Sequence, residues 1–190
     1  MYWLTVFASV CCIGGVFSER YANLYVDTAL DIILPRSIGG ANVASVTLHE
    51  FSVEGKAGVL RGQAFAFKRS NECTESHWKD GNIYMACNVT MGNLMVIYEC
   101  GNETQSLRVR LNTTIPVHFT EKPGFKPAVD AQLPEVYDFL VSHEVANPGL
   151  CWNDIIATTA RNATFAVFTR DLWPVVVYAF QSIYLPYPGM

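Results

Sequence analysis

The chain has 190 residues, of which 51% are hydrophobic, 16% charged and 13% aromatic, and its net charge is −4. This length suits one domain with a substantial core, and the low charged fraction argues against a disordered chain or a coiled coil. An acidic chain is a poor electrostatic match for a phosphate backbone, so we expect no nucleic-acid partner.

The first 18 residues form an apolar segment without Asp, Glu, Lys or Arg, and the segment ends at Ser18, just before Glu19 and Arg20. This pattern predicts a signal peptide at residues 1–18, followed by a single secreted, extracellular domain at residues 19–190. A membrane anchor is the alternative, but the segment is short for spanning a bilayer. We therefore expect no stable membrane span.

The cysteines and the glycosylation sequons also indicate export. Four cysteines lie beyond the predicted signal peptide, and in a secreted chain they predict two disulfides with three possible pairings. These cysteines are Cys73, Cys87, Cys100 and Cys151. Four Asn-X-Thr sequons predict surface glycosylation, at Asn88, Asn102, Asn112 and Asn162.

The segment that follows the predicted signal peptide has the spacing of an amphipathic helix. The apolar positions between residues 20 and 38 have Asp27 and Asp31 between them, and they are Leu24, Ala29, Leu30, Ile33 and Leu34. The pattern predicts a helix that stops near Pro35 and Gly39-Gly40.

Residues 43 to 120 change to short runs rich in β-branched and aromatic residues, separated by Gly and Asn. These runs predict strands at residues 43–53, 59–68, 83–91, 94–100 and 106–112. In the last run Leu107, Val109 and Leu111 alternate with polar residues that include the sequon Asn112. Because a sugar needs solvent, the Leu and Val face is predicted to be the buried one.

Two turns set the expected register of the middle strands. Gly92-Asn93 predicts a two-residue hairpin turn, which would pair Met91 with Leu94, Val89 with Val96 and Cys87 with Tyr98. Their inward face would also hold Ile83 and Met85.

The second turn, Lys79-Asp80-Gly81, predicts a three-residue loop with Gly81 in the left-handed region. That register brings Cys73 opposite Cys87, close enough for a cross-strand disulfide. Cys100 and Cys151 would then form the other bond.

The C-terminal third leaves two alternatives open. Residues 135–144 fit both a helix and a strand. Asp171 to Pro174 resemble a helix start, whereas Val175-Val176-Val177 favour a strand. The apolar run at residues 172–185 is too short to span a membrane.

The chain offers no transferable catalytic signature. Its four histidines lie far apart without metal spacing, and no nucleophile elbow, P-loop or dinucleotide motif is present. We therefore expect neither an enzyme nor a cofactor. The apolar excess points to binding instead, because Met85, Met91 and Met95 suit a soft apolar cavity, although an ordinary core is the alternative for each.

Several segments resemble the TULIP (tubular lipid-binding) superfamily, and are most similar to arthropod secreted proteins like the group-seven mite allergens. The resemblance covers about half of the mature chain. Its residues are the helix from Asn23-Leu24 to Leu34, then Gly58 to Gly62, Phe67-Lys68-Arg69, Asp80 to Ile83, Tyr84 to Thr90 and Leu94 to Tyr98.

The resemblance implies an α+β fold in which a highly curved antiparallel sheet wraps around one or two long helices, with a lipid or another elongated hydrophobic molecule between them. Residues 172–185 would be the enclosed helix. The expected lining residues on the sheet are Met85, Val89, Met91, Leu94, Val96, Tyr98, Leu107 and Val109, with Val176 and Phe180 opposite.

Two other functions compete with this carrier. A lipocalin-like carrier of small molecules would have no long helix before its first strand. A secreted protein-recognition or immune-modulating module would have a filled core and an exposed patch at Met95 and Ile97. The sequence names neither a particular ligand nor a protein partner.

Overall fold

The structure is a computed structural model that describes residues 20–37, 46–53, 56–62, 67–100, 103–143 and 154–189. The predicted signal peptide, Asn102 and Cys151 lie outside the described residues. The fold is α+β, as predicted, with two antiparallel sheets and two long helices.

The first helix, α1, covers residues 20–37, which confirms the predicted helix. Ala22, Tyr25 and Ala29 are buried at a spacing of three to four residues, and together with the buried Leu30 they form its core face. The prediction that Leu24 shares this face is wrong, because Leu24 lies one position off the stripe and is 58% exposed.

Helix α1 continues past Pro35 through a widened turn. Residues Ala29–Ile33 form a π-helical turn, in which the Leu34 N–H donates to the Ala29 carbonyl. Proline has no N–H to donate and its ring crowds the carbonyl four residues earlier, so a wider turn directly before it relieves the conflict. The helix therefore ends with Leu34–Ser37 rather than at the proline.

The described strands form two sheets. In chain order they are β1 (Val46–Val53), β2 (Lys56–Gly62), β3 (Phe67–Arg69), β4 (His77–Lys79), β5 (Asn82–Met91), β6 (Leu94–Cys100), β7 (Glu103–Leu111), β8 (Ile115–Glu121), β9 (Ala128–Ala131) and β10 (Phe139–His143). The first sheet has the order β1-β2-β6-β7-β10, and the second has the order β3-β5-β8-β9, with β4 also paired to β5. The predicted strand at residues 59–68 is thus divided between the two sheets.

The predicted hairpin between β5 and β6 is wrong. Strand β5 pairs with β8, whereas β6 pairs with β2 and β7. A two-residue hairpin turn needs a positive φ, and neither Gly92 nor Asn93 has one. These two residues instead carry the chain from one sheet to the other.

The β4–β5 hairpin forms, with a loop one residue shorter than predicted. Lys79 pairs with Asn82, and the two loop residues Asp80 and Gly81 both have positive φ, at 52° and 77°. The left-handed Gly81 is therefore confirmed. Both positive φ values are those of a type I′ turn, whose twist matches that of the flanking strands.

The disulfide Cys73–Cys87 is confirmed, with a Cα–Cα distance of 4.4 Å. The shorter turn does not prevent this disulfide, because the pairing register between the two chain segments shifts by one residue between the turn and the cysteines. Beside the disulfide the Thr74 N–H donates to the Ala86 carbonyl at 2.8 Å.

Strand β7 confirms the predicted faces. Leu107 and Val109 are fully buried and Leu111 is nearly so, whereas Arg108, Arg110 and Asn112 are exposed. Residues 135–144, left open by the sequence, form a short 3₁₀ turn at Val136–Asp138 followed by β10.

The C-terminal helix is longer than the predicted segment at 172–185. It comprises α2 (Asp154–Val167), a π-helical turn (Phe168–Leu172) and α3 (Trp173–Gln181), with helical backbone at both junctions. Val175 to Val177 are therefore helical, and Asp171 lies inside the helix rather than at its start. None of the helices that the structure describes has the length and apolarity to cross a membrane.

Candidate functional site

Nine of the ten predicted lining side chains lie in one contiguous buried core, and none of the nine is more than 4% exposed. They are Met85, Val89 and Met91 on β5, Leu94 and Val96 on β6, Leu107 and Val109 on β7, and Val176 and Phe180 on α3. Tyr98 lies on β6 opposite Gly58, and its side chain is outside the described part.

These residues come from two sheets rather than from one hairpin. On β5 every second residue from Ile83 to Met91 is buried, as period-two alternation requires for a sheet with one dry face. The sequence pattern therefore located the apolar faces correctly, although the pairing it suggested between β5 and β6 is absent.

One end of the C-terminal helix packs in an aromatic cluster with the second sheet and α1. The Phe180 ring lies 5.0 Å from the Phe119 ring of β8, in an edge-to-face arrangement. Tyr25 of α1 contacts the same Phe119 ring at 5.4 Å, also edge to face. Helix α3 thus packs on one side against α1 and the second sheet.

A second aromatic cluster surrounds Phe168, in the π-helical turn. Its ring centroid lies 5.5 Å from that of Phe139 on β10, 6.2 Å from that of Phe67 on β3 and 6.0 Å from that of Trp173. Because β10 belongs to the first sheet and β3 to the second, this fully buried ring joins both sheets to the helix.

A carboxylate lies inside the same core. Glu121, at the end of β8, is 1% exposed and accepts a 2.6 Å hydrogen bond from the Leu185 N–H. Burial raises the pKa of this carboxyl, and the bond from Leu185 opposes part of that rise. The Tyr25 hydroxyl donates to the Phe180 carbonyl at 2.7 Å, and burial, with a smaller effect of Glu121, raises its pKa.

Glu121 and the aromatic clusters were not predicted from the sequence. A usable signal is present in the run Ile115–Glu121, where Ile115, Val117 and Phe119 alternate and Glu121 continues the series inward. Extending the period of two by one step would have placed this carboxyl in the core.

Polar contacts fix α1 beside the disulfide. Arg69 donates to both carboxylate oxygens of Asp27 at 3.0 Å, and this contact raises the pKa of Arg69. Asn23 accepts from the Cys73 N–H at 2.8 Å and donates to Glu72. Arg69 therefore anchors helix α1 to strand β3 of the second sheet.

The described surface includes a groove and a smaller pocket. A groove of about 600 Å³ lies between the end of α1 and α3, where Ile33, Arg36, Pro174, Val175 and Tyr178 line it. A smaller pocket of about 110 Å³ lies beside Cys87, with Asn88 and His118 in its wall. Neither cavity is lined by any of the nine buried residues predicted for the ligand.

The sequons differ in accessibility. Asn112 and Asn162 are exposed, whereas Asn88 is half-buried in the middle of β5. The side chains of Asn112 and Asn162 are therefore accessible for glycosylation. A sugar on Asn88 would have to extend to solvent through the small pocket that this residue lines.

Among the described residues, no group of three or more His, Cys, Asp or Glu side chains is placed to hold a metal ion. Comparison of the chain with protein-family models and with curated proteins gives no significant match.

Proposed function

We propose that the chain is a secreted glycoprotein that binds or carries a lipid or another elongated hydrophobic molecule between the sheets and the C-terminal helix. The observation that supports this most is the placement of Phe168 and Phe180. These fully buried helix residues contact β-strands of both sheets, the arrangement expected for a helix enclosed by an antiparallel wall. The proposal includes a curved wall, a second disulfide between Cys100 and Cys151, and TULIP membership.

Binding would rest on apolar burial. Each Å² of apolar surface removed from water contributes roughly 25 cal/mol, so a ligand that buries about 300 Å² gains about 7 kcal/mol before ordering costs. Met85 and Met91 are unbranched and flexible, and they lie among β-branched and aromatic neighbours. We expect these two side chains to change rotamer and give way to the ligand, without any chemical step.

The direct test is analysis of what the protein holds when it is purified natively. Protein secreted by a eukaryotic host should release lipid on organic extraction, detected by mass spectrometry in near-stoichiometric amount. Another glycoprotein secreted by the same host, purified in parallel, serves as the control. Repeated empty extracts, together with failure to take up fatty acid after delipidation, would contradict the carrier.

The position of the ligand can be tested with fatty acids brominated along the acyl chain, which quench tryptophan fluorescence on contact. Trp173 is 7% exposed and contacts Phe168, whereas Trp78 is 47% exposed. Trp152 is first replaced by Phe, so that Trp78 and Trp173 are the tryptophans left beyond the predicted signal peptide. In this background we expect quenching, also after Trp78→Phe, and its loss after Trp173→Phe. Quenching that disappears only in Trp78→Phe would place the ligand outside the core.

A protein-recognition module is the second candidate. Met95 is 38% exposed on β6 and Ile97 beside it is half-buried, which fits the apolar patch predicted for an interface. Displacement of a fluorescent fatty acid by unlabelled fatty acids distinguishes the carrier from the recognition module. A carrier would bind both kinds of fatty acid, whereas a recognition module would bind neither the fluorescent nor the unlabelled one. A lipocalin-like carrier is less well supported, since the long helix α1 precedes β1.

A further inference from the structure

One end of the second sheet gathers exposed aromatic rings and lysines. We call this end the tip, and it consists of residues 77–82, residues 121–127 and residues 183–189. The three segments are adjacent because Ile83 pairs with both Trp78 and Glu121, and Glu121 accepts the Leu185 N–H.

The aromatic rings of the tip are partly open to solvent. Trp78 is 47% exposed and Tyr187 is 43% exposed, and their rings meet at 5.8 Å in an edge-to-face contact. Phe125, in the β8–β9 loop, is 60% exposed, and Tyr184 is 63% exposed. Water-exposed aromatic rings clustered at one end of a fold mark an interaction surface.

The charge of the tip is opposite to that of the chain. Lys79, Lys122 and Lys126 are exposed there, against one exposed acid, Asp80, while the acid Glu121 is buried. The Lys122 ammonium lies 5.4 Å from the centre of the Phe125 ring, so cation and ring share the same outward surface. The whole chain carries a net charge of −4, so positive charge is concentrated locally at the tip.

We propose that the tip docks on a lipid surface that carries anionic head groups. Trp and Tyr favour the boundary between head groups and acyl chains, because their rings are apolar and their N–H or O–H group is polar. Lysines beside them reach the head-group phosphates through long flexible stems. Rings with lysines at one end, on an otherwise acidic chain, match an anionic bilayer in both polarity and charge. The docking surface does not depend on the carrier function proposed above.

The test is sedimentation of the full secreted chain with vesicles of phosphatidylcholine alone or mixed with phosphatidylserine. We expect binding to the mixed vesicles that weakens as salt is added, and little binding to the neutral ones. The triple variant Lys79→Gln, Lys122→Gln, Lys126→Gln should bind about a hundredfold more weakly, since each lysine near an anionic surface contributes roughly fivefold.

A matched variant removes the same charge elsewhere. Lys68→Gln, Arg36→Gln and Arg110→Gln change exposed cations outside the tip and should keep the affinity within about twofold. Equal loss in the two triple variants would overturn the proposal, because bulk charge would then explain binding. Absence of binding to either vesicle would overturn it as well, as would salt-independent binding to both.

The aromatic contribution is tested with Phe125→Ser and Tyr184→Ser together, and Tyr137→Ser, which is 75% exposed in the wild type, is the control. The tip variant should weaken binding at least tenfold, and the control should not.

Tryptophan fluorescence should shift to shorter wavelength on mixed vesicles, and this shift should be lost in Trp78→Phe. An unchanged spectrum of the wild type would contradict insertion of the tip. If light scattering shows that the tip variants only dissociate a dimer, the surface joins two copies and the proposal fails. An empty lipid extract would count against the carrier and leave these outcomes unchanged.

Discussion

Glu121 is the residue whose environment departs most from what its chemistry prefers. An ionised carboxylate in an apolar core loses its hydration, and the bond from the Leu185 N–H replaces a part of it. The pKa of Glu121 is raised in the folded chain, so the folded state binds a proton more tightly than the unfolded state. Its contribution to stability is therefore greatest below the unfolded pKa and falls as the pH rises through the folded pKa.

We predict that Glu121→Gln removes this loss. The glutamine keeps an oxygen for the Leu185 N–H and carries no charge, so the variant should gain stability relative to wild type as the pH rises from about 4 to 7. Urea unfolding followed by circular dichroism at several pH values measures this difference. Glu75→Gln, which changes an exposed acid, is the control, and equal pH profiles for wild type and Glu121→Gln would contradict the prediction.

Phe168 should be among the most sensitive single positions. Its ring is fully buried and contacts aromatic residues of both sheets, so Phe168→Ala leaves a cavity that neighbouring backbone cannot easily fill. The expected loss in the free energy of unfolding is about 3–5 kcal/mol. Phe125→Ala, at an exposed ring, should change it by about 0.5 kcal/mol or less, and a similar loss in the two variants would refute the assignment.

At the level of elements, α1 is held to the second sheet by polar contacts as well as by its apolar face. The Arg69 side chain is 20% exposed and that of Asp27 is 40% exposed, so solvent screens their two-bond contact in part. We predict that Asp27→Asn lowers the free energy of unfolding by about 0.5–1 kcal/mol, measured by chemical denaturation. Asp31→Asn changes an exposed acid on the same helix and should have almost no effect.

The disulfide Cys73–Cys87 closes a loop with a sequence separation of 14. By restricting the unfolded chain, a bond of this span stabilises a fold by about 3 kcal/mol. The double variant Cys73→Ser, Cys87→Ser should lose that amount in urea unfolding. A double variant as stable as the oxidised wild type would show that the loop is ordered by its other contacts.

Local patterns predicted the elements better than their connections. The alternation in residues 106–112 fixed both faces of β7, and the spacing in residues 20–38 fixed α1 apart from Leu24. The Gly92-Asn93 turn failed because a Gly-Asn pair permits a tight turn without requiring one, and long-range pairing with β2, β7 and β8 decided the outcome. The start of the long helix at Asp154 was missed because its sequence contains few strong apolar repeats.

At the scale of the whole molecule, the sequence predicted that the proposed ligand residues are buried. It did not predict that these residues belong to two different sheets. A side chain such as Val89 or Val96 faces inward by period alone, whichever strand lies beside it. Glu121 was not predicted in the core because a charged side chain at the end of a strand is usually exposed, although its position continues the inward alternation of β8.

Glycosylation can be predicted from exposure over the whole surface. Asn112 and Asn162 are exposed, and each should carry a sugar when the chain is secreted from a eukaryotic host. Asn88, half-buried within β5, should be occupied least among these three. Mass spectrometry of glycopeptides before and after enzymatic deglycosylation measures the occupancy, and full occupancy of Asn88 with empty Asn112 would reverse the expected order.

The π-helical turn at Phe168–Leu172 sets the phase of the entire C-terminal helix. Buried positions recur every four residues from Ile156 through Phe168 to Phe180, and a regular helix would rotate such a series by about 40° at each repeat. The wide turn absorbs part of that rotation. Deleting one residue from this turn would rotate Phe180 by about 100° about the helix axis, away from Tyr25. Insertions and deletions should therefore be tolerated much better in the loop at 122–127 than in the π-helical turn.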